Sequence, residues 1–117
     1  MLTGAVTDEG VPIIMLPVAG QMWPGIIDTG FNGDVELPEA LRESLNARFI
    51  GRISSLLASG QHIEQDVYLV DFPFDGETVR AEATFVSGDE MLIGTQLMQR
   101  YRLEIHFPDR TVRLEKV

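Results

Sequence analysis

The stretch Ile26-Ile27-Asp28-Thr29-Gly30 sets a carboxylate in a glycine turn directly after an apolar pair. An apolar β-branched pair favours a buried strand, so Asp28 is predicted to emerge at the edge of a core. Asp-Thr-Gly occurs once in the 117 residues. By itself it has a simple structural explanation, in which the aspartate side chain hydrogen-bonds within its own turn. The interpretation therefore depends on the rest of the chain.

A second apolar pair followed by glycine, Leu92-Ile93-Gly94, lies near the other end of the chain. Most of the remaining sequence reads as short strands separated by turns, and Asp75-Gly76 is the strongest hairpin signal. Short helices are predicted at 38–47, where Leu41 and Leu45 are spaced for one helical face, and at 95–100. Strands are predicted at 11–18, 23–27, 49–57, 63–72, 78–86, 91–93, 102–107 and 111–115. We therefore predict an all-β fold with one or two short helices, built as a small closed barrel or sandwich.

Composition limits the classes of function that need to be considered. The length predicts a single domain over residues 1–117. A formal charge of −9 argues against a nucleic acid partner, which requires clustered Lys and Arg. Without cysteine, and with only His62 and His106, no metal site is expected.

No membrane association is expected either. The most apolar stretch, residues 11–19, is interrupted by Pro12 and Pro17 and is shorter than the roughly 20 residues of a membrane span. The first ten residues lack the basic start of a secretory signal. A cytoplasmic location is the default expectation.

From Ile13 to Tyr101 the chain resembles the retropepsin-like aspartic peptidases, and Asp28-Thr29-Gly30-Phe31 resembles a cellular, prokaryotic type of that family. The resemblance implies the acid protease fold, a closed β-barrel with one lobe per chain. It further implies an aspartic endopeptidase that acts as a homodimer on a peptide or protein substrate and needs no cofactor.

The resemblance also implies roles for individual residues. Asp28 matches the catalytic aspartate, and Thr29 the threonine that links the two catalytic loops across the dimer axis. Gly30 matches a glycine whose backbone contacts the substrate. Substrate-binding positions are implied in the catalytic loop and at the tip of a flap hairpin, namely Phe31, Asn32, Ser59, Gly60 and Gln61.

The chain departs from the viral pattern at three positions. Viral members usually carry Ala and Asp after Asp-Thr-Gly and an Arg after the later glycine, where this chain has Phe31, Asn32 and Thr95. The acid and the base are missing together, so no charge is stranded. The chain also continues beyond 95–100, so the viral four-stranded terminal sheet cannot be assumed for its dimer.

One aspartate per chain is half of the required chemistry. Two close carboxylates share a proton, so that one acts as general base and the other as acid. The residues also leave open a non-catalytic dimeric module that binds an extended peptide by strand addition.

Overall fold

The computed structural model describes residues 1–117 and forms one ten-stranded sheet. The hydrogen-bonded order is β5-β6-β7-β4-β8-β3-β2-β1-β10-β9. The only helix is a 3₁₀ turn at Glu39–Leu41. The strands are β1 (Leu2–Val6), β2 (Pro12–Val18), β3 (Gln21–Ile27), β4 (Val35–Pro38), β5 (Arg48–Leu56), β6 (His62–Phe74), β7 (Glu77–Val86), β8 (Met91–Ile93), β9 (Tyr101–His106) and β10 (Thr111–Lys116).

The core is built from the inward-facing positions of alternating strands. Along β2, Ile14, Leu16 and Val18 are buried while the residues between them are exposed, which is the period of a strand with one face on the core. Aliphatic side chains from β4, β8 and β10 complete the same cluster. Burial of this apolar face is the main stabilising contribution to the sheet.

The short strand β8 determines where the Asp28 turn lies. It runs parallel to β3, with Ile27 opposite Ile93, and antiparallel to β4, with Val35 opposite Ile93. The ends of β3 and β8 therefore lie side by side, and β4 begins on the other side of β8. This arrangement brings the turn after β3 against Gly94, the residue that follows β8.

The predicted all-β architecture is confirmed, but the predicted closed barrel is not. The order of strands has two ends, β5 and β9, and these do not pair with each other. The strong hairpin signal is confirmed at Asp75 and Gly76, whose φ angles of 53° and 80° are those of a type I′ turn between β6 and β7.

Both predicted helices are shorter than expected. In the first, Arg42 N–H bonds to Glu39 and Leu45 N–H bonds to Leu41, which gives little more than one turn. Asn46 then takes a left-handed φ of 54° and ends it. Residues 95–100 form consecutive turns. The first is closed by a hydrogen bond from Met98 N–H to the Thr95 carbonyl oxygen, and the second by one from Tyr101 N–H to the Met98 carbonyl oxygen. None of the helical segments has the length and apolar character that a membrane span requires.

Two strands were not predicted, β1 and β4. β4 has four residues and ends at Pro38, so its pattern is too short to stand out from a loop. Along β1, half-buried and exposed residues alternate from Leu2 onward, and only Val6 is buried. Each is defined by its neighbours in the sheet, because β1 lies between β2 and β10 and β4 lies between β7 and β8.

Candidate active site

Asp28 lies directly after β3 and is half-buried. Its N–H donates to the carbonyl oxygen of Ile93 over 3.0 Å, which extends the β3–β8 pairing by one residue. Its Oδ1 accepts the Gly30 N–H over 3.0 Å, and Oδ2 accepts no hydrogen bond within the chain. One carboxylate oxygen is therefore held in place by the turn, and the other is available to a ligand.

The loop after Asp28 is bound to the segment after β8 by backbone hydrogen bonds. Thr95 N–H donates to Phe31 over 2.9 Å, and Gln96 N–H donates to Gly33 over 3.1 Å. This pairing requires a very close approach, because a Cβ at Gly94 would lie 2.0 Å from the Gly33 carbonyl oxygen. The segments that follow β3 and β8 thus pack closely together and support the turn at Asp28.

Phe31 packs over the same support and forms one wall of a groove. A Cβ at Gly33 or at Gly94 would lie within 3 Å of the Phe31 ring, at 2.7 and 2.9 Å. The groove has a volume of about 280 Å³. Its apolar walls are formed by Phe31, Val35, Ile50, Ile53 and Val67. The groove therefore runs between the Asp28 loop and the lower part of the β5–β6 hairpin.

Asn32 and Thr95 replace the acid and the base of the viral pattern, and their side chains remain neighbours. The Thr95 hydroxyl lies 3.5 Å from the Asn32 amide oxygen. Both groups are neutral, so the viral ion pair is replaced by a weak polar contact. Asn32 itself is exposed.

Ser59, Gly60 and Gln61 lie at the tip of the β5–β6 hairpin and are exposed. The tip is closed by Leu57 N–H to Gln61 over 2.8 Å and by Gly60 N–H to Leu57 over 2.9 Å. These three residues do not line the groove beside Phe31. From this hairpin, Ile50 and Ile53 line the groove, although no pattern in the sequence distinguishes them from other strand residues.

Glu36 is a second carboxylate near Asp28. Ile26, Leu92 and Glu36 lie side by side on β3, β8 and β4 and are half-buried, whereas the residues on either side of each are buried. Asp28 follows Ile26 by two residues, so it continues this face of the sheet. Burial, and then the negative charge of Asp28, raise the pKa of Glu36. The alternation from Val35 to Leu37 was the available signal, but it was too short to assign.

The raised pKa of Glu36 predicts a pH-dependent cost in stability. Below about pH 4.5 the carboxyl is protonated in the folded and unfolded chains, and the cost is absent. As pH rises through the higher pKa of the folded state, ionising the half-buried group destabilises the fold. We expect Glu36→Gln to melt roughly 2 °C above the wild type at neutral pH, and the difference to vanish near pH 4.

Thermal unfolding at a series of pH values measures this effect. The control is Glu43→Gln, which neutralises an exposed carboxylate and should leave the melting temperature unchanged. A wild type that is more stable than Glu36→Gln at neutral pH would contradict the prediction.

The structure contains no group of three or more potential metal ligands.

Similar solved structures share this architecture. A retropepsin-like aspartic protease from Rickettsia conorii superposes with a TM-score of 0.69 at 17% sequence identity, covering 97% of this chain and 89% of that protein. The protease of simian foamy virus superposes with a TM-score of 0.58 at 24% identity, covering 74% and 91%.

A larger foamy viral protein, the protease-reverse transcriptase in complex with an RNA/DNA hybrid, superposes with a TM-score of 0.62 at 25% identity. The match covers 80% of this chain and 13% of that protein, so it concerns one part of the viral protein. A scan of family models and a search of curated proteins found no match. The chain has the retropepsin-like fold, as its Asp-Thr-Gly turn and later apolar-Gly segment predicted.

Proposed function

We propose that this protein is an aspartic endopeptidase, that residues 1–117 form a single retropepsin-like protease domain, and that it works as a homodimer. The observation that carries the proposal is the setting of Asp28. This carboxylate directly follows the buried Ile27 at the end of β3, with Oδ1 held by Gly30 N–H and with Oδ2 unbonded, on a retropepsin-like fold. The hydrogen bond from Gly30 N–H to Asp28 Oδ1 is also the one expected if Asp28 were only a turn residue. A turn of this kind is compatible with a catalytic role, because it fixes the position of the carboxylate and leaves Oδ2 free.

Two Asp28 carboxylates, one from each chain, would share one proton because two like charges at short distance cannot both persist. The ionised carboxylate takes a proton from water as the water oxygen attacks the scissile carbonyl carbon. The protonated carboxylate hydrogen-bonds the carbonyl oxygen as negative charge develops there. Breakage of the C–N bond then passes a proton to the leaving amine and leaves the carboxylic acid product.

The neighbouring residues support this chemistry in the proposed dimer. Thr29 is exposed, and its hydroxyl has no hydrogen bond within the chain, so it is available to the partner loop. The groove beside Phe31 has apolar walls that suit an apolar substrate side chain. Ser59, Gly60 and Gln61 form the tip of a hairpin that would close over a bound peptide as a flap.

A non-catalytic dimeric peptide-binding module on the same fold remains the alternative function. The free edge of β5 and the exposed apolar residues of its hairpin would suit an extended peptide without cleavage. Only the peptidase predicts new peptide termini, so the test is mass spectrometry of a mixed peptide library incubated with the protein. Cleavage that pepstatin inhibits supports the peptidase, and binding without cleavage supports the module.

The need for two chains predicts activity that depends on protein concentration. We expect the specific activity of the wild type to fall on dilution, as dimers dissociate into chains with one carboxylate each. A dimer carries twice the formal charge of −9, so added salt should screen the repulsion and shift this loss to lower concentration. Peptide cleavage across a dilution series, read beside sedimentation velocity, measures both effects. Constant specific activity in a sample shown to be monomeric would refute the homodimer.

A further inference from the structure

Strand β9 is one of the two free edges of the sheet. It pairs with β10 on one side and with no strand on the other. The N-terminal strand β1, in contrast, is enclosed between β2 and β10 of the same chain, so it is not free to interleave with a partner. A free edge offers unpaired N–H and C=O groups to another strand. Of the strands at this end of the sheet, only β9 can extend it.

The charges on β9 already alternate with those on its neighbour. Arg102 lies opposite Glu115, and Glu104 lies opposite Arg113, across the β9–β10 pair. Along β9 itself, Arg102 and Glu104 are 3.1 Å apart and exposed on the same face. The opposite face carries half-buried apolar residues that pack on the core, among them Leu103. The strand therefore has an apolar inner face and an outer face of alternating sign.

This strand is complementary to a second copy of itself in one register. In an antiparallel pair centred on Leu103, Arg102 of each copy lies opposite Glu104 of the other. Leu103 lies opposite Leu103, and Tyr101 lies opposite Ile105. The rows of charge then read Glu, Arg, Glu, Arg across the four strands β10, β9, β9 and β10. Opposite charges in such cross-strand positions are favourable.

The neighbouring registers are not complementary. A pair centred on Arg102 places two arginines directly opposite each other, and a pair centred on Glu104 does the same with two glutamates. Shifts by one residue place Leu103 opposite a charged residue. Like charges in opposite positions destabilise a strand pair, so charge and apolarity select the register centred on Leu103.

We propose that β9 pairs antiparallel with β9 of a second copy in the register centred on Leu103, and that this is the interface of the homodimer. The inference rests on the proposed function only in its need for two chains. The pairing joins the two sheets into one continuous sheet and covers the free backbone groups of both edges. Residues 101–105 are therefore complementary to the same residues of a second chain that runs in the opposite direction.

Disulfide cross-linking tests the register, because the chain contains no cysteine. In the proposed pair, Leu103→Cys brings two thiols directly opposite each other, at a separation that suits a disulfide. Oxidised glutathione takes up the two electrons and two protons as the S–S bond forms. Ile105→Cys is the matched control, since it lies on the same strand and face, yet its thiols would be too far apart to bond.

We expect most Leu103→Cys protein to run as a disulfide-linked dimer on a non-reducing gel, with at least about tenfold less dimer for Ile105→Cys. Melting curves under reducing conditions verify that both variants fold. Equal cross-linking of the two variants, or more in Ile105→Cys, would overturn the register. No cross-linking in either variant, in a protein that sedimentation shows to be dimeric, would overturn the interface.

A second variant tests the charge pattern without new cysteines. Arg102→Glu places glutamates opposite each other in the pair, and sedimentation should show a dimer weakened about tenfold. Glu104→Arg should weaken the dimer likewise, because it places two arginines opposite each other. This substitution also lowers the net negative charge of each chain, so a general charge effect would strengthen the dimer instead. An unchanged dimer in both variants would refute the proposal. Pepstatin-sensitive cleavage by a protein without this interface would refute the interface and leave the proposed function intact. A cross-linked dimer that cleaves no peptide would support the interface and refute the proposed function.

Discussion

Asp28→Asn is expected to lower peptide cleavage at least about 10³-fold, because an amide is neither a general base nor a carrier of the shared proton. In the proposed homodimer a single substitution replaces both members of the dyad, so no intact half remains. The fold should be retained, since the asparagine Oδ1 can still accept the Gly30 N–H that Asp28 accepts over 3.0 Å. Cleavage kinetics and circular dichroism of the variant measure these two expectations.

The matched control is Asp89→Asn, which makes the same change at an exposed residue between β7 and β8. It should cleave at the wild-type rate. Pepstatin binding, read as a thermal shift, should disappear in Asp28→Asn and persist in Asp89→Asn. If Asp28→Asn cleaves within tenfold of the wild type, Asp28 is not the catalytic acid and the proposed mechanism is wrong.

Gly94→Ala is expected to be the most destabilising of the substitutions considered. The added Cβ would lie 2.0 Å from the Gly33 carbonyl oxygen and 2.9 Å from the Phe31 ring. The first obstacle is backbone, which cannot rotate away as a side chain does. The expected loss in free energy of unfolding is about 3 kcal/mol or more, at the upper end of overpacking effects. Urea denaturation of the purified variants measures it.

Gly20→Ala separates the steric clash from backbone strain. Gly20 lies in the turn between β2 and β3 with a φ of 83°, and its Cβ would meet nothing within 4 Å. The cost there should be only about 1–2 kcal/mol, the penalty of a left-handed conformation. If Gly94→Ala proves no more destabilising than Gly20→Ala, the close approach between the two loops does not contribute to stability as we infer.

Much of the local structure around Asp28 could be predicted from the residues themselves. An apolar pair that ends in a polar residue and a glycine indicates a strand and a turn, and this is what β3 and Asp28 form. The hairpin at Asp75-Gly76 was equally predictable, because a left-handed pair is needed there and few residues adopt it. These signals depend on neighbours in sequence, which a single chain displays directly.

The helices were overestimated for a related reason. Leu41 and Leu45 have helical spacing and are both buried, at 3% and 4% exposure, as the pattern indicated. One turn is enough to bury this pair, and Asn46 then reverses the chain toward β5. The spacing thus predicted which side chains are inside but not how far the helix continues.

The sequence alone was sufficient to predict the turn at Asp28 and the mostly β character of the chain, because each depends on short-range sterics or on an alternation of period two. Only the tertiary structure decided that β8 lies between β3 and β4, that Gly94 lies against Gly33, and that Glu36 shares a face with Asp28. It also decided that β9 is left as an edge. Alternation shows which face of a strand is buried but not which strand lies beside it, since many pairings of distant strands bury the same apolar residues.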